Sequence, residues 1–557
     1  MKTRIVLIVM LAVIGLSNSL TAQSPNWAWA RSASDTNAEE GWSVATDASG
    51  NVFMTGFFID STITFDTTTL TNAGQNDIFV VKYDASGNAL WAKSAGGTSD
   101  DVGKSVAIDA NGNVLVTGFF SSPTITFGTF TLTNVGIGDI FIVKYDASGT
   151  VLWAKSVGGT DYEVGNCIAT DASGNVLITG YFYSPTITFG TFTLTNGGNA
   201  GDCDIFIVKY DSSGTVLWAK SAGGTSNDYG YSVATDASGN VLVTGYFYSP
   251  TITFGTFTLT NTGSADIFIV KYDASGTVLW AKSAGGTDED EGYGIATDAS
   301  GNVLATGYFT SPTITFGSFT LTNPINIGIA PDIFIVKYDS SGTVLWAKSA
   351  GGSGGSEGYS VATDASGNVL VAGSFYSPFI TFDSDTLFPS SSATDPMFLV
   401  KYNPTGTVLW AKGLASGGDD QNGVATDAFG NIFVGGDFAM EPFIVGTDTL
   451  HQTGDENAFI AKINASAEGI EKITIPSGIF IYPNPNDGKF TISYRLSSPH
   501  SELLIADVFG RTLSSYPLNS PAGTQNINLS SLSNGIYYWH LVSSQSTSKA
   551  GYFILSK

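Results

Sequence analysis

Ser232-Val233-Ala234-Thr235-Asp236-Ala237-Ser238-Gly239-Asn240-Val241-Leu242-Val243-Thr244-Gly245-Tyr246-Phe247 is the stretch that decides the fold. Its first five residues alternate as a short strand. Ala237 to Asn240 is a turn in which glycine takes positive φ without steric cost. Val241 to Phe247 is a second strand. Thr251 to Thr260 then alternates Thr with Ile, Phe and Leu around Gly255, which predicts an inserted hairpin. Asp266-Ile267-Phe268-Ile269-Val270-Lys271-Tyr272 is a third main strand. Asp273-Ala274-Ser275-Gly276 turns it into a fourth, Thr277-Val278-Leu279-Trp280-Ala281-Lys282.

The pattern recurs along the chain. The Trp of the fourth strand returns at 29, 91, 153, 218, 280, 346 and 410, and the first turn begins at Asp47, Asp109, Asp171, Asp236, Asp298, Asp364 and Asp427. Both series give seven units of about 64 residues. Four main strands in each of seven units predict an all-β, seven-bladed β-propeller over residues 23–465. The first unit opens with the last strand type, Trp27-Ala28-Trp29-Ala30-Arg31, while Ala458 to Lys462 has no fourth strand after it. The N-terminal strand therefore completes the last blade, and the ring leaves no open end. A β-solenoid is the competing architecture, although 62 residues is long for one of its turns.

Comparing units within the chain separates framework from variation. The Phe series 58, 120, 182, 247, 309, 375 and 438 does not vary and is expected in the core. The Asp of each Asp-Ala-Ser-Gly turn is expected to cap that turn. On the opposite face, where longer loops lie, acids recur at Glu39, Asp101, Glu163, Asp228, Asp290 and Asp419, with Ser356 in the sixth unit. They are either an electronegative ring around the channel, with Ca²⁺ as its ion, or backbone caps copied by duplication. The residue after each Phe does vary. Tyr183, Tyr248 and Tyr376 at that rim are candidates to stack on sugar rings or to pack against the hairpin. Cys167 and Cys203 both fall in the third unit, and export would permit a disulfide between them. They sit two strands apart, about 9–10 Å, so the loop 197–201 would have to fold inward for them to join.

The ends read differently. Met1 to Arg4 is basic, Ile5 to Leu16 is apolar, and Ala22 precedes Gln23, the pattern of a cleaved secretory signal over residues 1–22. No other stretch approaches the ~20 apolar residues of a membrane helix. After a linker at 466–478, residues 479–557 alternate strands with Gly/Asn/Asp turns, predicting a small Ig-like β-sandwich.

Two resemblances add to this. Tyr482-Pro483-Asn484-Pro485 with Gly488 and Phe490, the Asp507 to Gly510-Arg511 turn, the Leu532 to Gly535-Ile536-Tyr537 run and Lys557 closely resemble the C-terminal sorting domain (type A) of the type IX secretion system of Bacteroidetes. The resemblance implies engagement of that machinery, export by way of the periplasm, and removal of the tail, here between about 465 and 480, with release or surface attachment. The units resemble the SBBP β-propeller repeat through Ala-Thr-Asp-Ala-Ser-Gly-Asn-Val, Thr-Gly-Tyr-Phe and Asp-Ile-Phe-Ile-Val-Lys-Tyr. The Tyr145 to Trp153 turn also resembles the tryptophan-docking turn of quinoprotein propellers, which implies Trp packed between blades.

The formal charge of the 557 residues is −25. The signal and the tail are each net +2, which leaves the middle at −29. That excludes nucleic acid and simple docking on anionic lipid. Three histidines and no Gly-x-Ser-x-Gly or His-Glu-x-x-His motif leave no catalytic residue to name and no metal or cofactor to assign beyond the Ca²⁺ above. The expectation is a monomeric, non-catalytic binding or adhesion propeller for glycan or protein. A polysaccharide hydrolase or lyase using loop-face acids, and a purely structural surface protein, are the alternatives.

Overall fold

In the unit quoted above, Asp228–Thr235, Val241–Phe247, Asp266–Tyr272 and Val278–Ala284 form one antiparallel four-stranded sheet in sequence order. We call these strands inner, second, third and outer. Second and third are buried at every position, as strands covered on both faces must be. The outer strand alternates and leaves Leu279 47% exposed. The computed structural model describes residues 25–555 except 34–37, 325–329, 390–395, 415–422, 453–454, 466–478, 483–487, 496–500, 508–510, 519, 521 and 544–545. The chain divides into two compact units, 1–466 and 467–557.

The first unit contains seven such sheets among the described residues, and each inner strand neighbours the next around a closed cycle. Closure is as the sequence predicts. Trp27–Ser32 pairs antiparallel with Asn457–Ile463, with Ala30 opposite Ala461, and supplies the outer strand of the last sheet. The inserted hairpins also form, for example Thr251–Phe254 with Phe257–Thr260. Instead of standing free on the loop face, each hairpin folds against its own outer strand. Ile252 and Phe254 are buried in the same cluster as Phe247. All seven Phe residues of the repeated series are fully buried. The core lies between blades. One cluster joins Leu177, Ile205 and Ile207 of one sheet to Val241, Val243 and Phe268 of the next.

Repeated polar contacts weld neighbouring blades. The indole Nε1 of Trp218 donates to Ala274 O in the next blade's turn at 3.2 Å, and Trp280 to Ser340 O at 3.2 Å. Gly276, at φ +85°, lies on the Trp218 ring, where a Cβ would stand 2.9 Å from a ring carbon. Within a blade, Lys209 Nζ on the third strand meets Asp171 Oδ2 in the turn after the inner strand at 2.9 Å, with both side chains nearly dry, and Lys271 meets Asp236 in the same way. Each Asp also caps its turn. Asp236 Oδ1 accepts from the backbone N–H of Ser238 and Asn240. At the same end of the channel, Thr235 Oγ1 donates to Thr170 O and Thr297 Oγ1 to Thr235 O, hydroxyl to carbonyl from blade to blade.

The expected disulfide does not form: Cys167 and Cys203 are free. Register explains why. Cys167 is level with Thr179, and Thr179 with Ile207, so Cys203 lies four residues further along as well as two strands across. That is about 13 Å along and about 10 Å across, beyond the ~7 Å a disulfide spans. Cys167 Sγ faces Ser105 and Ser232 at 3.8 Å each, whereas Cys203 Sγ lies 3.7 Å from Asp228 O.

The second unit has a three-stranded and a four-stranded antiparallel sheet around one core that includes Phe490, Ile492, Ile505 and Tyr537. Of the sorting motif, Tyr482 ends the strand Ile479–Tyr482, and Gly535 begins the strand Gly535–Ser543. The Tyr537 hydroxyl donates to Ser533 O at 2.9 Å. Gly488 adopts φ +94°, where a Cβ would meet Ser530 backbone at 2.7 Å. Pro483, Asn484, Pro485 and Gly510, like the expected signal peptide and the expected linker at 466–478, lie outside the described residues.

Candidate ligand-binding site at the channel mouth

The recurring acids do not form an exposed ring. Asp101, Glu163, Asp228 and Asp290 are fully buried. Asp228 Oδ2 accepts from Ser249 Oγ at 2.7 Å and Gly224 N–H at 2.9 Å, and its Oδ1 accepts from Ser249 N–H. The same contacts recur at Asp101 and Asp290, with Glu163 accepting from Gly159 and Ser184 N–H. Each carboxyl thus staples the loop entering the inner strand to the loop leaving the second. Burial pushes Asp228 up to about 7 and Asp290 to about 6. These residues are caps, closed to solvent cations. Asp419 lies outside the described residues. Among the described residues no group of three or more His, Cys, Asp or Glu is placed to hold a metal ion.

The rim tyrosines border a larger aromatic array. Tyr183 Oη lies 3.4 Å from Tyr229 Oη, and Tyr248 donates to Glu289 Oε1. Tyr376 is 44% exposed. Beside them the ring sequence Tyr181–Tyr229–Tyr246–Tyr231–Tyr293–Tyr359 runs through four consecutive blades with successive centroids 4.9 to 5.7 Å apart. Spacing of this order suits edge and tilted aromatic contacts.

The residues that line the channel are ones the sequence reading passed over. In six inner strands a β-bulge follows the repeated Gly. Gly230 pairs with Gly245 and Ser232 with Thr244, leaving Tyr231 unpaired in the ladder. The equivalent extra residues are Trp42, Lys104, Asn166, Tyr293 and Tyr359. A bulge re-aims a side chain, and here all six line one cavity of about 260 Å³. Glycine precedes the bulge because blades touch there. A Cβ on Gly103 would lie 2.5 Å from Thr55 Oγ1 of the neighbouring blade. The available signal was variation inside a repeat, since this position changes from unit to unit between a repeated Gly and, in most units, a Ser.

Around the mouth the polarity is uneven. Glu40 accepts from Trp42 Nε1 at 2.7 Å, Glu291 from Tyr293 Oη at 2.6 Å, and Glu357 from Tyr359 Oη at 2.9 Å, the same Glu-Gly-aromatic device in three blades. Burial, with Glu289 and Glu357 nearby, raises Glu291 to about 7. The second and third blades present Val102, Phe119 and Val164 instead. Lys104 Nζ lies 4.0 Å above the Trp42 ring, a cation–π contact. Burial pulls its pKa down to about 8, against the opposing pull of Glu40.

An uncharacterized WD repeat-containing protein of Acanthamoeba polyphaga mimivirus is 28% identical over 502 residues, covering 74% of this chain and 36% of that protein. The regulatory protein FlaEY of Caulobacter vibrioides is 27% identical over 232 residues, covering 37% of this chain and 24% of its own. The chain thus spans about a third or less of the length of these curated relatives. Among solved structures, the Pan2 WD40 domain of Neurospora crassa is 8% identical and covers 79% of this chain and 98% of that one, with a TM-score of 0.38. Residues 480–554 match the secretion system C-terminal sorting domain. The protein is therefore an all-β propeller chain with a type IX sorting tail, which directs it to the cell surface or the medium.

Proposed function

We propose that this is a cell-surface or secreted binding propeller, non-catalytic, that takes glycan or protein ligands at the loop-face mouth of its channel. One observation carries the reading. In a chain whose blades repeat Trp docking, Asp caps and Phe cores almost residue for residue, the six described bulge residues are Trp, Lys, Asn and three Tyr, all facing one cavity. Duplicated structural devices stay alike. Aromatic and polar residues that differ from blade to blade around a concavity are what a ligand site needs. Screening the exported protein on a glycan array, with a Tyr231→Ala/Tyr293→Ala protein alongside, tests it. Binding to a defined glycan class that is lost in the variant supports the proposal. No binding to any glycan, together with no protein captured from a surface extract, refutes it.

A second reading has one observation in its favour. Glu291 is 5% exposed, sits near pH 7 in its titration, and accepts a 2.6 Å bond from Tyr293 at the channel mouth. That is the profile of a general acid or base on a polysaccharide. Degradation of a bound glycan by the wild type but not by Glu291→Gln would select it.

A further inference from the structure

The cavity holds a positive group that donates to no described residue. Lys104 Nζ rests on the Trp42 ring, and among the described residues no oxygen lies within hydrogen-bonding or ion-pair distance of it. An ammonium carries three donors, and at half-buried Lys104 they face the solvent of the cavity, where the acceptor oxygens of a ligand can take them. Two hydroxyls that line the same cavity have few acceptors of their own. Ser43 Oγ accepts from Val106 N–H at 3.2 Å and donates to no described residue. Ser105 Oγ accepts from Ile168 N–H at 3.2 Å and has only the Cys167 sulfur, 3.8 Å away, to donate to. Neighbouring blades thus occupy one lone pair of each serine, which leaves the Ser43 proton, and the Ser105 proton beyond its weak sulfur contact, for a ligand in the cavity.

We propose that the channel binds the carboxylate of a single acidic sugar, with the anion on Lys104, Ser43 and Ser105 and the sugar ring against the Tyr231, Tyr293 and Tyr359 side. The inference rests on the binding reading above and names its ligand class. Size and charge narrow it. A cavity of about 260 Å³ is below the ~300–1,000 Å³ of drug-sized ligand pockets, which fits one sugar residue rather than several. A chain at −25 repels a polyanion along its length, so one terminal charge is admitted where a heavily sulfated polymer is not.

The test is calorimetric titration of the full exported protein with D-glucuronate, D-glucose and acetate. Glucuronate should bind more tightly than acetate, which lacks the ring that meets the tyrosines, and at least tenfold more tightly than glucose, because a charge-assisted bond is worth roughly 1.5–3 kcal/mol. Lys104→Met should lose that margin at unchanged melting temperature, and Lys104→Arg should keep most of it. Equal affinity for glucose, equal affinity for acetate, or full glucuronate binding by Lys104→Met would each overturn the proposal. If neutral glycans still bind the tyrosine side in that event, the broader binding function survives the loss of this one.

Discussion

Replacing Lys209 by Met cuts one of the ion pairs that tie a blade's first turn to its third strand while leaving the apolar stem in place. Lys209 Nζ bonds Asp171 Oδ2 at 2.9 Å, and the two side chains are 3% and 4% exposed. Losing one partner of such a buried pair typically costs about 3–5 kcal/mol, mostly because the other charge is stranded. Asp171 is cushioned. Asn175 Nδ2 and the N–H groups of Ser173 and Asn175 still bond it at 2.8 to 3.0 Å. The loss should therefore fall at the low end, about 2–3 kcal/mol. At the ~2–4 °C per kcal/mol of 150–250-residue domains, this lowers Tm by roughly 4–12 °C, an upper figure for a ring this large. The assay is thermal unfolding of wild type, Lys209→Met, Asp171→Asn and the double variant at pH 7. The double variant should be less destabilised than the sum of the singles by about 1–3 kcal/mol. The Asp171 pKa is lowered by Asn175, Lys209 and the turn N–H groups against its burial. Its contribution is accordingly present above about pH 4 and lost as pH falls through the folded-state value, so the coupling should vanish in strong acid. Strictly additive singles at pH 7 would refute the claim that this pair joins the turn to the third strand.

The buried carboxyls that begin inner strands (Asp228, Asp290) and third strands (Asp77, Asp204, Asp332) predict the opposite pH trend. Burial raises Asp228 and Asp332 to about 7 and Asp77, Asp204 and Asp290 to about 6, all above their unfolded values near 4. Their stabilisation is complete below pH 4 and fades as pH rises through 6 to 7. Tm measured in one buffer series should be higher at pH 5 than at pH 8, and a flat profile over that range would contradict it. Deleting residues 23–32 removes the strand paired with Asn457–Ile463 and opens an edge. Tm should fall markedly, and an unchanged Tm would contradict ring closure. Gly276→Ala places a methyl against the Trp218 ring at φ +85°, so it should cost about 1–3 kcal/mol by denaturant titration. Mass spectrometry of the exported protein should find a C-terminus between about residues 465 and 480, and a product ending at Lys557 would contradict tail removal.

What the sequence made legible were the features that repeat. Seven copies of Asp-Ala-Ser-Gly turns, of Trp and of Phe dictate sheets, docking and cores, because each copy must solve the same packing problem. What it hid depends on register. A bulge adds one residue without disturbing the look of an alternating strand, so Tyr231 and Lys104 read as ordinary strand residues although the channel is built from them. Asp101 and Asp228 look like loop acids in the sequence. Their burial comes from a returning loop, with Ser122 or Ser249 supplying the closing hydroxyl, more than twenty residues away. The distance between Cys167 and Cys203 likewise depends on which residues of three strands stand level, which the turn lengths of one unit do not reveal.

The central claim, a ligand taken at the bulge-lined mouth, is tested most directly by choosing which face of the ring to damage. With the glycan or protein that the array or extract identifies, binding should be measured for three proteins: wild type, Tyr231→Ala/Tyr293→Ala/Tyr359→Ala, and Ser173→Ala/Ser238→Ala in the tight turns at the opposite end. The account predicts that the tyrosine variant loses binding while the turn variant keeps it, both melting near the wild type. Binding that survives the three tyrosine changes but is lost with the two turn serines would contradict it.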